Sequence, residues 1–399
     1  MSRVLIVKSN LEPFRVPFYA RLQDRLAGEG IEMEVAVPAA RCGTHSFPWL
    51  SPVPAREISV AGKTFCWQSV HSHARRAELV IVQEGARQLT NYALLARRSQ
   101  SGFKLALWGH GTEFQRSWST PLARVLKSRL FSWVDFWFAY TPGVAEIVAG
   151  RGYPRKRICT VFNSLDTDSE LLIRQLITVD QIATLRMQLR MSSTAHLICY
   201  CGSLYKAKRL DMLLEACQLL RASGMDLHVA VLGEGAERES LEKLARRAPW
   251  LHLAGDIRGR LKALWLRASQ CMVIPGVVGL AVVDAFVHEC PLITTDIPGH
   301  GPEIEYLADH VNGLKVSNDA SSLAGAIRSM LDDASLREVL RRGCREAASR
   351  LTLANMVERF AEGTLTALRL PHYRRESIRI QPSNKPKFPK HKSGSIPMK

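Results

Sequence analysis

The chain of 399 residues is 46% hydrophobic and 23% charged, carries a formal net charge of +17 and has a pI near 9.7. Those proportions fit a soluble globular protein long enough for two domains, and no apolar run approaches the roughly 20 residues that a membrane-spanning helix needs. The basic balance invites anionic partners. With no helix-turn-helix, RRM or zinc-finger signature and no basic stripe interleaved with aromatics, no nucleic acid is expected among them, which leaves an anionic membrane surface or a phosphorylated substrate.

From the amino terminus, 4–7 reads as a β-strand without the charged, apolar and cleavage regions of a secretory leader, so a cytoplasmic protein is expected. Strands are predicted at 3–7, 32–37, 79–83, 104–108 and 136–140, and helices at 17–27, 87–98, 122–133 and 143–150. Apolar strands alternating with amphipathic helices require a parallel sheet covered on both faces. A connecting stretch of helical propensity occupies 166–191. The rhythm then resumes with strands at 196–201, 227–232, 251–254, 272–274 and 292–295, and two helical segments close the chain at 334–350 and 353–370. The expected organisation is α/β, with two Rossmann-like doubly wound domains at 1–165 and 196–350 facing a central cleft. A connection at 166–195 joins them, and a closing helix spans 351–370. Residues 371–399 are rich in Pro, Lys and Ser, hold Glu376 as their one acid and read as a disordered basic tail.

The nine cysteines are scattered without zinc-ligand spacing and are expected to be reduced and mostly buried. No metal site is expected. Asp166-Thr167-Asp168 has a metal-diphosphate spacing but falls in the connection, where it reads as a helix cap. Gly233-Glu234-Gly235 lacks the third glycine of a dinucleotide fingerprint, since position 238 is Arg238, so no nicotinamide cofactor is implied. The 122–138 segment mixes Arg124, Lys127 and Arg129 with aromatics and aliphatics, a mixture suited to an anionic membrane surface or to a core helix and strand.

Two turns carry the chemistry. In the run 275–286, strand-like residues end in a turn containing Gly276 and Gly279 and reopen as a helix-compatible segment. About seventy residues earlier, Gly202-Ser203-Leu204 leads into Lys206, Lys208 and Arg209. Backbone N–H groups at such a helix start, with nearby cations, suit an anion such as a diphosphate. A cation at a helix start opposes the dipole unless an anion is present, which singles out Lys208. His110, between Gly109 and Gly111 after a buried-strand pattern, is the leading functional histidine, and His300, between Gly299 and Gly301, has a weaker claim.

The order and spacing of Gly202-Ser203-Leu204 with Lys208, of Gly233-Glu234-Gly235, and of Gly279-Leu280 with Asp284-Ala285 resemble the retaining family-4 glycosyltransferases of the GT-B fold. Trp108-Gly109-His110-Gly111, the 139–144 and 161–166 segments, Pro302-Glu303-Ile304-Glu305-Tyr306 and Asn312-Gly313-Leu314 extend the resemblance over 3–370. It implies transfer of a sugar, with retention and without metal or cofactor, from a nucleotide-diphosphate-sugar donor to a lipid-linked or polysaccharide acceptor. It also implies residue roles. Lys208, helped by Arg209, would neutralise the pyrophosphate; the Gly202-Ser203 turn and the N–H groups of Gly279 and Leu280 would hold its oxygens. Asp284 would bond the ribose hydroxyls, the main chain at Ile257 would meet the base, and His110 would contact the donor sugar. Acceptor choice would fall to the loops at 12–19 and 110–116.

The chain departs from the family pattern at three places. Gly276 replaces the first Glu of E-x7-E while Asp284 shortens the second, Ser203 replaces the Arg of the phosphate turn, and Glu289 stands where a glycine precedes Pro291. Two alternatives stay open on these residues: a catalytically degenerate nucleotide-sugar-binding module acting as partner or scaffold, and a sugar-nucleotide epimerase on the same scaffold.

Overall fold

The computed structural model describes residues 2–43, 46–60, 62–85, 87–111 and 133–373. Two all-parallel sheets dominate it. The first has the order β3-β2-β1-β6-β7-β8-β9, built from β1 (Ser2–Val7), β2 (Ile31–Pro38), β3 (Leu50–Val53), β6 (Leu79–Gln83), β7 (Lys104–Gly109), β8 (Phe136–Ala139) and β9 (Ile158–Thr160). The second has the order β12-β11-β10-β13-β14-β15, built from β10 (His196–Cys201), β11 (Leu227–Leu232), β12 (Leu251–Gly255), β13 (Met272–Ile274), β14 (Leu292–Thr295) and β15 (Gly313–Val316). An antiparallel hairpin, β4 (Ala55–Val60) and β5 (Lys63–Gln68), stands apart from both.

Continuous apolar strands such as Leu-Val-Ile-Val at 79–82 are buried along their length because helices cover both faces of each sheet. Each sheet reverses its strand order once, between β1 and β6 and between β10 and β13. Ligands of such sheets sit beyond the carboxyl ends of the strands flanking the reversal.

The helix Leu353–Arg369 does not stay with the second sheet. Its Leu353, Met356 and Phe360 join the core over the first, where Phe360 stacks on Phe138 at 4.3 Å and meets Trp108 edge-on at 5.0 Å. The chain therefore passes between the sheets twice, and the two passages touch. Ser164 Oγ donates to Leu351 O at 2.6 Å, and Leu353 N–H donates to Thr167 Oγ1 at 3.0 Å.

The expected strands at 79–83, 196–201, 227–232, 272–274 and 292–295 occupy those residues. Strands β3, β9 and β15 escape sequence reading because they are short and, unlike β13 and β14, not buried along their whole length, and β4 because all of it is exposed. The connection resolves into helices Thr167–Gln175 and Val179–Gln188, the latter started by a Thr178/Gln181 capping box. Asp166 takes the N-cap position of the former, but its carboxylate accepts from Ser169 Oγ at 2.6 Å and pairs with Arg21, which also holds Asp168. The cap reading is thus corrected: no backbone N–H is held by that side chain.

The tail reading is corrected at its start. Arg157 donates to Pro371 O at 2.9 Å, Tyr373 N–H donates to Asp135 at 2.6 Å, and Tyr373 packs on Tyr153. Residues 374–399, all but the last residue of the helix expected over 122–133, and the loop beyond Gly111 lie outside the described residues. All nine cysteines are unpaired, seven of them buried. No helix among the described residues is long and apolar enough to cross a membrane.

Candidate active site

At the reversal of the second sheet, the turn after β10 and the turn after β13 lock together. Gly276 N–H donates to Lys208 O at 3.0 Å and Val277 N–H donates to Ala207 O at 2.9 Å. The approach leaves no room for a side chain at 276: a Cβ there would lie 2.1 Å from Ala207 O and 2.5 Å from the carbonyl carbon of Lys208. Glycine at 276 is thus a packing requirement of this backbone.

Lys208 is only 8% exposed. Its Nζ donates to Val277 O at 2.5 Å and lies 5.6 Å from the Tyr205 ring centroid. Burial lowers its pKa below the ordinary lysine value, so the site carries a cation whose desolvation a bound anion would offset. Arg209 adopts φ +56° at the start of the Leu210–Ala222 helix, and its guanidinium turns to Asp211 at 3.2 Å. Ser203 is exposed, with its carbonyl held at 2.8 Å by the Tyr200 hydroxyl.

Gly233-Glu234-Gly235, after β11, serves contact between loops. A Cβ at 233 would sit 1.9 Å from Gly202 O and one at 235 would sit 2.3 Å from Leu204 O, while Leu204 N–H donates to Glu234 O at 2.8 Å. Gly279 has open space where a Cβ would go, and Leu280 is the N-cap of the short Ala281–Val287 helix. His300 fixes the neighbouring segment: its Nδ1 accepts from Val278 N–H at 3.1 Å and its Nε2 donates to Thr295 O at 2.8 Å. Burial holds its pKa below the usual histidine value. Ile257 is half-buried after β12, with its N–H on Gly255 O at 2.9 Å.

Asp284 meets a partner that sequence reasoning missed. Lys262 Nζ, on the Gly259–Ala268 helix, lies 2.7 Å from Asp284 and 2.8 Å from Glu170, and His288 Nε2 donates to Glu170 at 3.0 Å. Burial works against the ammonium, but the two carboxylates outweigh it and raise its pKa. Glu170, Asp284 and His288 bring ligand atoms within 4.8 Å of one another, the one such group among the described residues, and the Lys262 ammonium supplies positive charge there itself. Following Arg258 and Arg260, Lys262 reads in sequence as part of a solvated face.

The facing edge of the first sheet presents His110 directly after β7. Its ring packs 4.5 Å from Tyr140, and burial, with Lys8 and Arg15 adding repulsion, pulls its pKa down to about 4. The imidazole is therefore neutral at physiological pH. Arg15 donates to Ser164 O at 3.1 Å and to the Asn163 side chain, whose amide in turn donates to Glu303. Glu303 is 3% exposed, and burial raises its pKa. This Arg15-Asn163-Glu303 chain runs from the surroundings of His110 to the second sheet. Beside it, Glu305 caps the Pro142–Gly150 helix from across the interface, accepting from Thr141 Oγ1 at 2.9 Å and Gly143 N–H at 2.8 Å. Asn163 and Glu303 stand in motifs that sequence reading notes without giving them a role.

Residues 195–333 match the family model described as glycosyl transferases group 1. No curated protein matches the chain. Among solved structures, HepE of Anabaena in complex with UDP superposes with a TM-score of 0.70 at 13% identity, covering 92% of this chain and 100% of that one. Sucrose-phosphate synthase from Thermosynechococcus elongatus gives 0.67 at 15% identity, covering 91% and 98%. WaaG, a glycosyltransferase involved in lipopolysaccharide biosynthesis, gives 0.62 at 15% identity, covering 90% and 98%. At such identities the likeness is one of fold, and that fold is GT-B.

Proposed function

We propose that the protein is a retaining, metal-independent glycosyltransferase that moves a sugar from a nucleotide-diphosphate donor to a lipid-linked or polysaccharide acceptor at the cytoplasmic face of a membrane. The observation that carries this reading is the buried Lys208 ammonium, held between two interlocked turns at the reversal of the second sheet. Fixed positive charge at that place stabilises the negative charge that develops on a departing diphosphate. Lys208 and the N–H groups of Gly279 and Leu280 would take the diphosphate oxygens, with Gly202 and Ser203 lining the turn and Arg209 adding long-range charge. Asp284 keeps carboxylate lone pairs for ribose hydroxyls beyond the one that Lys262 occupies, and the main chain at Ile257 would meet the base.

In the reaction, the anomeric carbon loses its bond to the diphosphate oxygen and gains one to the acceptor oxygen on the same face. The acceptor's hydroxyl proton passes to the leaving diphosphate. Neutral His110 would orient the sugar by hydrogen bonding. The steric role of Gly276 supports the transferase reading over the degenerate module, because the surrounding turns are packed to fit a glycine there.

Thermal-shift measurements with UDP, GDP, ADP and their sugar conjugates, without added metal, test the reading. Complexes of HepE with UDP and with UDP-glucose put the uridine donors first. A donor at about 100 times its Kd stabilises the fold by roughly 2.7 kcal/mol, and Lys208→Ala is expected to remove most of that. Absence of any nucleotide response in folded protein overturns the proposal, as does conversion of a donor sugar with no acceptor present, which would identify an epimerase.

A further inference from the structure

We propose that the β4–β5 hairpin docks the protein on an anionic lipid bilayer. In an antiparallel ribbon directly opposed residues share a face, and successive pairs alternate. The register pairs Arg56 with Trp67, Ile58 with Phe65 and Val60 with Lys63 on one face, and Ala55 with Gln68, Glu57 with Cys66 and Ser59 with Thr64 on the other.

The second face is fastened to the body at its base, through Cys66 and Gln68, while its Ala55, Glu57, Ser59 and Thr64 are exposed. Cys66 is 6% exposed, with its N–H on Arg87 O at 3.0 Å; Gln68 is 3% exposed and donates to Lys8 O at 2.7 Å; Glu57 pairs with Arg41. The first face looks outward. Ile58 is 47% and Val60 56% exposed, Phe65 and Trp67 are half-buried, and Arg56 and Lys63 are exposed.

That face contains no acid and no neutral polar residue: four apolar side chains lie between a guanidinium and an ammonium. Ile58 and Val60 are left about half in water, and their cross-strand pairing with Phe65 and Lys63 covers only part of them. The combination of apolar tips and flanking cations matches the layered chemistry of a bilayer surface, with acyl boundary inside and anionic headgroups outside. A chain with a net charge of +17 adds long-range attraction of the same sign.

The position fits too. The hairpin leaves β3 at Val53, which pairs with Pro38 at the carboxyl edge of the first sheet, and it is tied to Lys8 at the end of β1. That is the edge from which His110 projects, so a bilayer under the hairpin would lie beside the acceptor entrance. Only this last consequence rests on the transferase reading; the docking surface itself does not.

Flotation of the full chain with vesicles of phosphatidylglycerol and phosphatidylcholine in equal parts, and with phosphatidylcholine alone, tests the proposal at about 0.15 M ionic strength, where wild type and variant carry the same basic tail. Binding to the anionic vesicles is expected to drop about tenfold or more in Ile58→Asp/Val60→Asp, with an unchanged circular dichroism spectrum and an unchanged nucleotide-induced thermal shift. Brominated lipid should quench the wild type more than Trp67→Phe. Equal flotation of wild type and double variant overturns the proposal, as does indifference to lipid charge. A dimer that the double variant dissociates, without vesicle binding by either, would assign the face to a second copy of the chain and also overturn it. Loss of the nucleotide response with flotation intact would count against the transferase reading alone.

Discussion

Substituting Gly276 measures how tightly the two turns are locked. A Cβ at that position would lie 2.1 Å from Ala207 O and 2.5 to 2.6 Å from the carbonyl carbon and Cα of Lys208. One turn would have to withdraw by about 1 Å or more to reach ordinary contact distance. Withdrawal strains or breaks the pairs Gly276 N–H to Lys208 O and Val277 N–H to Ala207 O, now at 3.0 and 2.9 Å. Overpacking costs about 1–3 kcal/mol and each lost hydrogen bond about 0.5–1.5 kcal/mol, so Gly276→Ala should destabilise by about 2–6 kcal/mol. In melting temperature that is a fall on the order of 10 °C. Gly276→Glu, which places a longer side chain at the same point, should be at least as damaging and should not raise activity. The control is Gly279→Ala, where a Cβ meets nothing within 4 Å; it should leave stability within about 0.5 kcal/mol while weakening nucleotide binding, because the methyl would face the proposed diphosphate. Denaturant titration of both variants, read beside nucleotide thermal shifts, decides the matter. A Gly276→Ala protein as stable as wild type would refute the locking argument.

Replacing Lys262 by Met should destabilise by about 3–5 kcal/mol in urea titrations, because two largely buried carboxylates would lose their shared cation. His110 and His300 both have folded pKa values held below the unfolded value of about 6.5. The unfolded chain therefore binds more protons, and the stability they contribute is complete above about pH 6.5 and lost as pH falls, down to about 4 for His110. Urea midpoints measured across that window should fall with pH, and His110→Asn should flatten the slope; a midpoint that rose on acidification would contradict the buried neutral state. Lys208→Arg should bind nucleotide more weakly than wild type despite its conserved charge, since the pocket between Val277 O and the Tyr205 ring is sized to an ammonium; isothermal titration would read the difference.

Sheet strands flanked by strong apolar patterns were legible from the chain alone, because a strand buried on both faces is written as an uninterrupted apolar run. Lys208 and Gly279 could be singled out because turns after such strands are where a doubly wound sheet presents its chemistry, whereas Asp284 enters only through the family resemblance. What the sequence conceals is contact between segments distant along it. Gly276 reads there as a missing glutamate and only the fold reveals that Ala207 and Lys208 fill the space. Lys262 sits 22 positions from Asp284 and 92 from Glu170, so no local pattern ties the three together. Gly233 and Gly235 look like a phosphate loop, yet they make room for the backbone at 202–204. The β4–β5 hairpin alternates faces as a strand should, but its outward face is the apolar one, which inverts the pattern used to recognise strands.

The two chain passages between the sheets touch each other at Ser164 with Leu351 and at Thr167 with Leu353. Two adjacent strands of covalent chain resist sliding and separation while permitting rotation about the line they share, as the pin of a door hinge does. A swing about that line leaves both passages unstretched, and the Asn163–Glu303 and Thr141–Glu305 contacts tie the two sheets together away from it. Cutting the chain after Arg350 would remove one leaf of that hinge together with the helix that covers the first sheet's core.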